Sequence, residues 1–151
     1  MVGSFLKLPA VTRRALLVAV VGLLISRPAA AEELLIIANP SVSVTAPLTV
    51  TEIAAFYLLR TTTWPDGSRI IPVNREANSD ARMTFTLSVL QEDSVSLTIY
   101  WNQMHFMGRM PPVVQQSEQA MLAFVQKVPG SVGYISASIA PTNVKVLARV
   151  R

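Results

Sequence analysis

The chain contains no cysteine. That excludes disulfides, thiolate metal sites, iron–sulfur clusters and a cysteine nucleophile. A single histidine, His105, stands beside Phe106 and Met107. One imidazole without a second histidine makes a poor metal site, and no nucleophile is spaced to use it as a base, so it reads as structural or surface. No glycine-rich loop of the Walker or dinucleotide type is present. The carboxylate pair Glu32-Glu33 falls at the expected mature terminus, and Glu92-Asp93 at a helix junction, where acids favour the N-terminal dipole. Met104, Met107 and Met110 are spread over a helix end and its loop and read as packing residues. Nothing in this inventory assembles an acid–base or nucleophilic centre.

Apolar runs are also short. The longest, Ala15–Ile25, has eleven residues, well below the roughly 20 that span a bilayer. Lys7, Arg13 and Arg14 precede it and Ala29-Ala30-Ala31 follows. Basic region, apolar region and small-residue site are the parts of a cleaved secretory signal, with an uncleaved anchor as the alternative. Residues 1–31 are therefore expected to be a signal peptide and residues 32–151 one domain. The leader also holds the charge imbalance. The whole chain has 13 Lys+Arg, 9 Asp+Glu and a net charge of +4. Lys7, Arg13, Arg14 and Arg27 lie in the leader with no acid, so residues 32–151 carry nine of each sign and no net charge. The high isoelectric point gives no support for nucleic-acid binding.

The remaining 120 residues suit a single core. Leu34–Ala38 (LLIIA) is apolar on both faces and reads as a buried strand, expected to be parallel. Asn39–Pro47 is a hydroxyl-rich loop carrying Ser41, Ser43 and Thr45. Thr49 with Glu52 fits a capping box opening a helix over Val50–Leu59. Pro65-Asp66-Gly67 is a turn, with Trp64 expected to plug the core beneath it. Arg69–Val73 reads as a second strand. Between residues 79 and 91 the pattern is ambiguous. Ala81, Met83, Phe85, Leu87 and Val89 alternate as in a strand, yet Ala81, Phe85 and Val89 are also four apart, and Asn78-Ser79-Asp80 is a helix start. Asp93 caps a helix over Ser94–Phe106, ended by Gly108. Arg109–Val114, with Pro111-Pro112, reads as a connector. A helix over Ser117–Lys127 and short strands at Val132–Ile135 and Val144–Leu147 complete the chain.

Two polar segments could take an anion. One is the Ser41–Thr45 loop. The other is the turn Asn74–Arg82, where a strand delivers Asn78 and Ser79 to a helix start between Arg75 and Arg82. Helix N-termini offer unpaired N–H groups and a favourable dipole. Ordinary capping accounts for the same residues.

The motifs Leu35–Pro40 (LIIANP), Phe56–Gly67 ending in TTTWPDG, Ile71–Arg75 (IPVNR), Arg82-x-x-Phe85, Tyr100-Trp101 with Phe106-x-Gly108, and Pro129–Ile135 (PGSVGYI) follow one another in an order that resembles the phosphate-type substrate-binding components of ABC uptake systems. The resemblance covers nearly all of residues 32–151. It implies a periplasmic-binding-protein-like (type II) α/β domain with a small mixed sheet flanked by helices. It also favours helix over strand for Ser79–Gln91. It implies a non-enzymatic exported protein without a cofactor, binding phosphate or a related small oxyanion and working with an ABC permease or a membrane sensor. By position, Ser41 and Ser43 match the first anion loop, while Arg75, Asn78 and Ser79 match the region where larger relatives hold phosphate with an arginine and a Ser-Gly-Thr turn. Three departures stand out. That turn is Ser79-Asp80-Ala81 here, Leu59 replaces a glycine common before the tryptophan turn, and the chain is about half the length of a two-lobed binding protein. A ligand-free interaction domain of the same fold is the second reading.

Overall fold

A computed structural model describes residues 32–45 and 47–151. The signal-peptide reading of residues 1–31 lies outside the described residues. The elements run β1 (Leu34–Ala38), α1 (Val50–Tyr57), β2 (Ile71–Arg75), α2 (Asp80–Phe85) continued by a π-helical turn at Thr86–Leu90, α3 (Ser94–Phe106), β3 (Val113–Gln115), α4 (Glu118–Lys127), β4 (Ser131–Ser136) and β5 (Lys145–Val150). The helix starts are those marked by capping chemistry. Thr49 and Glu52 form the reciprocal capping box of α1, Asp93 accepts from the Val95 and Ser96 N–H groups, and Ser117 accepts from the Ala120 N–H. Gly108, at φ +73°, turns the chain out of α3.

The five strands form one mixed sheet in the order β3-β2-β4-β1-β5. β2 runs parallel to both β3 and β4, whereas β1 is antiparallel to β4 and β5. The expectation that β1 is parallel is therefore corrected. Its unbroken apolar sequence reports that both faces are covered, and that says nothing about strand direction. Alternate β1 residues go to opposite layers: Leu34, Ile36 and Ala38 join the core under α1, α2 and α3, and Leu35 and Ile37 join Met121 and Val125 under α4. The connector at Arg109–Val114 is also corrected, because Val113 and Val114 pair with Val73 and Asn74 as the start of edge strand β3. Pro111 and Pro112 end just before it, so no ladder donor is missing.

The residue 79–91 ambiguity resolves as helix, with a change of pitch. Ala81, Phe85 and Val89 are buried along one face, while Met83 and Leu87 are 57% and 63% exposed. The four-residue spacing is the one that governs burial. Trp64 is the expected core plug: it is buried, donates from Nε1 to the Gly130 carbonyl at 2.9 Å and meets Phe56 edge-on at 5.0 Å. Met104 is buried, but Met107 and Met110 are each 65% exposed and do not pack as expected. His105 is exposed on α3, in keeping with a surface role.

Two tyrosines repair the sheet where it splays. The β2–β4 ladder registers only Ile71 with Ser131 and Pro72 with Val132. Beyond it, the single Tyr57 O–H is shared between the Val73 and Val132 carbonyls, at 3.0 and 3.2 Å. Tyr134 accepts from the Arg75 N–H at 3.1 Å and donates to Asn74 Oδ1 at 2.5 Å. Backbone groups that a longer ladder would pair are thus satisfied by phenols in the core. Phe85 stacks on Tyr134 with centroids 4.1 Å apart, and Tyr57 tilts against Phe85 at 4.5 Å. This aromatic cluster ties α1 and α2 to the end of β2.

Candidate functional site

The end of β2 and the start of α2 make the site. Arg75 is the last residue of β2 and is buried. Its Nε and Nη2 donate to the two carboxylate oxygens of Glu76, each at 2.8 Å, and Nη1 lies 3.8 Å from Glu118 Oε1. That Nη1 is buried and has no hydrogen-bond partner among the described residues. Hydrogen bonding to Glu76 holds the guanidinium above its usual range, against the opposing effect of burial, and holds the Glu76 carboxyl below its own. Glu118 is engaged separately, accepting from the Ser136 N–H at 2.6 Å.

Ser79 is the N-cap of α2. Its Oγ accepts from the Arg82 N–H at 3.1 Å and donates to the Glu76 carbonyl at 3.0 Å. Both capacities of the hydroxyl serve the turn itself, which is the ordinary capping role. Asn78 is exposed on the same turn. Asp80 stands in the first turn of α2, where it favours the dipole and competes with an incoming anion. Arg82 reaches back to donate to the Arg75 carbonyl at 3.1 Å and forms no ion pair among the described residues.

Arg75, Asn78 and Ser79 thus lie on one strand-to-helix turn, but the Arg75 guanidinium itself engages Glu76 and approaches Glu118 of α4 rather than Asn78 or Ser79. Ser41 and Ser43 are elsewhere. Ser41 Oγ accepts from the Gly130 N–H at 3.0 Å, and the Gly130 carbonyl accepts from Ile71, the first residue of β2. Arg75 lies four residues further along that strand, about 13 Å away at roughly 3.3 Å per residue. Asn39 ties the same loop to the end of α4, donating to the Val125 and Gln126 carbonyls at 2.8 and 3.0 Å. Ser43 is exposed, and the Asp66 carboxyl is held below its usual range first by Ser68, which donates to it from both its N–H and its hydroxyl. The two polar segments therefore sit at opposite ends of β2, because β1 is antiparallel to β4 and delivers its loop to the end where β2 and β4 begin. A single site built from both is not formed.

An open cleft of ≈ 860 Å³ adjoins Arg75 and Arg82. Met83 and Leu87 of the α2 segment, Trp101 of α3 and Pro112 line it. A second hollow of ≈ 880 Å³ lies beside the start of β2, bordered by Leu59, Arg69 and Arg109. Arg82, Tyr134 and Trp101 were absent from the sequence-derived site. Arg82 carried a signal as the residue flanking the turn three positions from Ser79, while Trp101 and Tyr134 stood in the motifs Tyr100-Trp101 and PGSVGYI without a site role.

No family model matches the chain, and no curated protein is similar to it in sequence. Solved structures are similar in fold. A protein described as a candidate phosphate ABC transporter substrate-binding protein from Clostridium perfringens, solved with bound phosphate, superposes with a TM-score of 0.60 at 20% identity over 77% of this chain and 44% of its own. An ABC-type phosphate transport receptor from Vibrio cholerae gives 0.56 at 22% identity, over 77% of this chain and 45% of the receptor. PstS from Borrelia burgdorferi gives 0.57 at 16%, over 78% and 47%. The chain therefore has the α/β fold of phosphate-type substrate-binding proteins of ABC transporters and spans less than half the length of each.

Proposed function

We propose that this chain is an exported, non-catalytic domain that binds a small oxyanion of the phosphate class on behalf of an ABC permease or a membrane sensor. The anion site is the turn of Arg75, Asn78 and Ser79, with Arg82 as a second cation. Ser41 and Ser43, named with them from sequence, would need a separate site at the other end of β2. The observation that carries the reading is Arg75. A buried guanidinium nitrogen without an acceptor costs about 1–3 kcal/mol, and an anion oxygen would relieve it. The fold supports the same class of ligand, since one structure that shares it contains phosphate. Export rests on the leader composition alone.

Binding must overcome the chain's own carboxylates. Glu76 occupies two guanidinium donors of Arg75, and Asp80 and Glu118 add negative charge nearby. Weak affinity is expected, because the site is open and its cation is already paired. Calorimetric titration with phosphate and sulfate, together with thermal shift, tests the reading. A ligand at 100 times its Kd adds about 2.7 kcal/mol of stability. No heat and no thermal shift at millimolar phosphate would remove it.

The same carboxylates favour a second reading, a ligand-free interaction domain. Phe106, 91% exposed at the end of α3, with Met107 and Met110, each 65% exposed in the segment leading to β3, offers apolar surface for a protein partner. Substituting Arg75 and Ser79 separates the two. Under the second reading capture of the partner survives both changes.

A further inference from the structure

We infer that the ligand is an organic anion, a phosphonate or phosphate monoester carrying an apolar group, seated with its charged end at Arg82 and Arg75 and its apolar body in the adjoining cleft. The inference rests on the oxyanion reading and names the ligand class for that site. Volume is the first argument. At ≈ 860 Å³ the cleft falls within the range of organic-ligand pockets, about 300–1,000 Å³. A bare tetrahedral oxyanion, a few water molecules in size at ~30 Å³ each, would leave most of it to solvent.

The lining is the second argument. Met83 and Leu87 are four residues apart on the α2 segment, so their side chains share one face and form a continuous apolar floor. Both are more than half exposed, which a helix ordinarily avoids on two successive turns. Trp101, half-buried on α3, supplies an aromatic wall, and Pro112 closes the side toward β3. Asn74, Thr86, Ser94, Thr98 and Asn102 border the same cleft, and an apolar wall met by placed polar groups is the composition of a small-molecule site.

Charge sets the orientation. Arg82 borders the cleft without a carboxylate partner among the described residues, and Arg75 adjoins it. The acids that border the cleft, Glu92 and Asp93, lie ten or more residues along the chain from Arg82, beyond the π-helical turn. Asp93 is spent on capping α3. An anionic head is therefore attracted to Arg82, which has no carboxylate partner among the described residues, and repelled by Glu92.

The test is calorimetric titration of the purified protein with phenylphosphonate and with inorganic phosphate. Phenylphosphonate should bind at least tenfold more tightly. Trp101→Ala and, independently, Leu87→Asn at an exposed position should abolish that preference and leave phosphate affinity within twofold. Arg82→Gln should weaken both ligands at least fivefold. Phosphate binding with no preference for phenylphosphonate, or a preference that survives both Trp101→Ala and Leu87→Asn, overturns the inference and leaves the oxyanion reading standing. Binding of neither ligand overturns both.

Discussion

Removing one oxygen, in Tyr134→Phe, tests whether the phenols hold the end of β2. The wild-type hydroxyl donates to Asn74 Oδ1 at 2.5 Å and accepts from the Arg75 N–H at 3.1 Å. Asn74 and Arg75 are both buried, at 5% and 7% exposure, so water does not replace the lost partner freely. Each of the two buried groups left unsatisfied costs about 1–3 kcal/mol, giving a loss of about 2–6 kcal/mol. The ring remains, and with it the 4.1 Å stack on Phe85, so the loss belongs to the hydroxyl. Against a total of about 5–15 kcal/mol for a domain this is severe. The midpoint of thermal unfolding should fall by on the order of 10 °C. Urea denaturation followed by circular dichroism measures it, with an unchanged m-value as the control for an intact fold. A loss below about 0.5 kcal/mol at constant m would show that other groups satisfy the backbone there.

Alkaline pH should erode the same contact. Burial pushes the Tyr134 phenol up to about 12, above the ordinary value near 10, and Tyr57 moves in the same direction. The folded state holds its protons longer, so this stability is fully present below about pH 10 and is lost as pH rises through about 12, at up to about 1.4 kcal/mol per unit for each phenol. Unfolding curves across that window should converge for wild type and Tyr134→Phe. The two motif glycines should respond differently to alanine. At Gly130, φ is +76° and the new Cβ would overlap the rigid Arg69 carbonyl, so a loss of about 2–4 kcal/mol is expected. At Gly133 the clash is chiefly with the flexible Met121 thioether, and a denaturation series should give about 1–3 kcal/mol. Leu59→Gly should stabilise by about 0.5–1 kcal/mol, since Leu59 sits at φ +53° just past the C-cap of α1; an unchanged or lower midpoint would argue that its side-chain packing outweighs the backbone cost.

Local chemistry made much of the fold legible. Thr49, Asp93 and Ser117 mark helix starts through hydrogen bonds to residues two or three positions on, and such short-range contacts are written in adjacent residues. The glycine common before the tryptophan turn is explained by Leu59 at positive φ, and Pro-Gly-x-x-Gly-Tyr by the crowding at Gly130 and Gly133. Strand direction was hidden, because LLIIA looks the same whichever way its neighbours run. Edge strand β3 was hidden behind Pro111-Pro112, and the pairing that defines it comes from Val73 and Asn74, about forty residues earlier.

The turn at residues 70–85 shows the same division. Sequence alone determined that a strand hands Arg75, Asn78 and Ser79 to a capped helix, since capping and periodicity act over a few residues. Tertiary structure decided everything that depends on distant segments. It sent the Ser41 loop to the other end of β2, set Glu118 of α4 against Arg75, and laid Tyr134 of β4 beneath the turn. It also opened the cleft between Arg82 and Trp101. These are matters of sheet order and strand direction, which long-range pairing sets and no local pattern encodes.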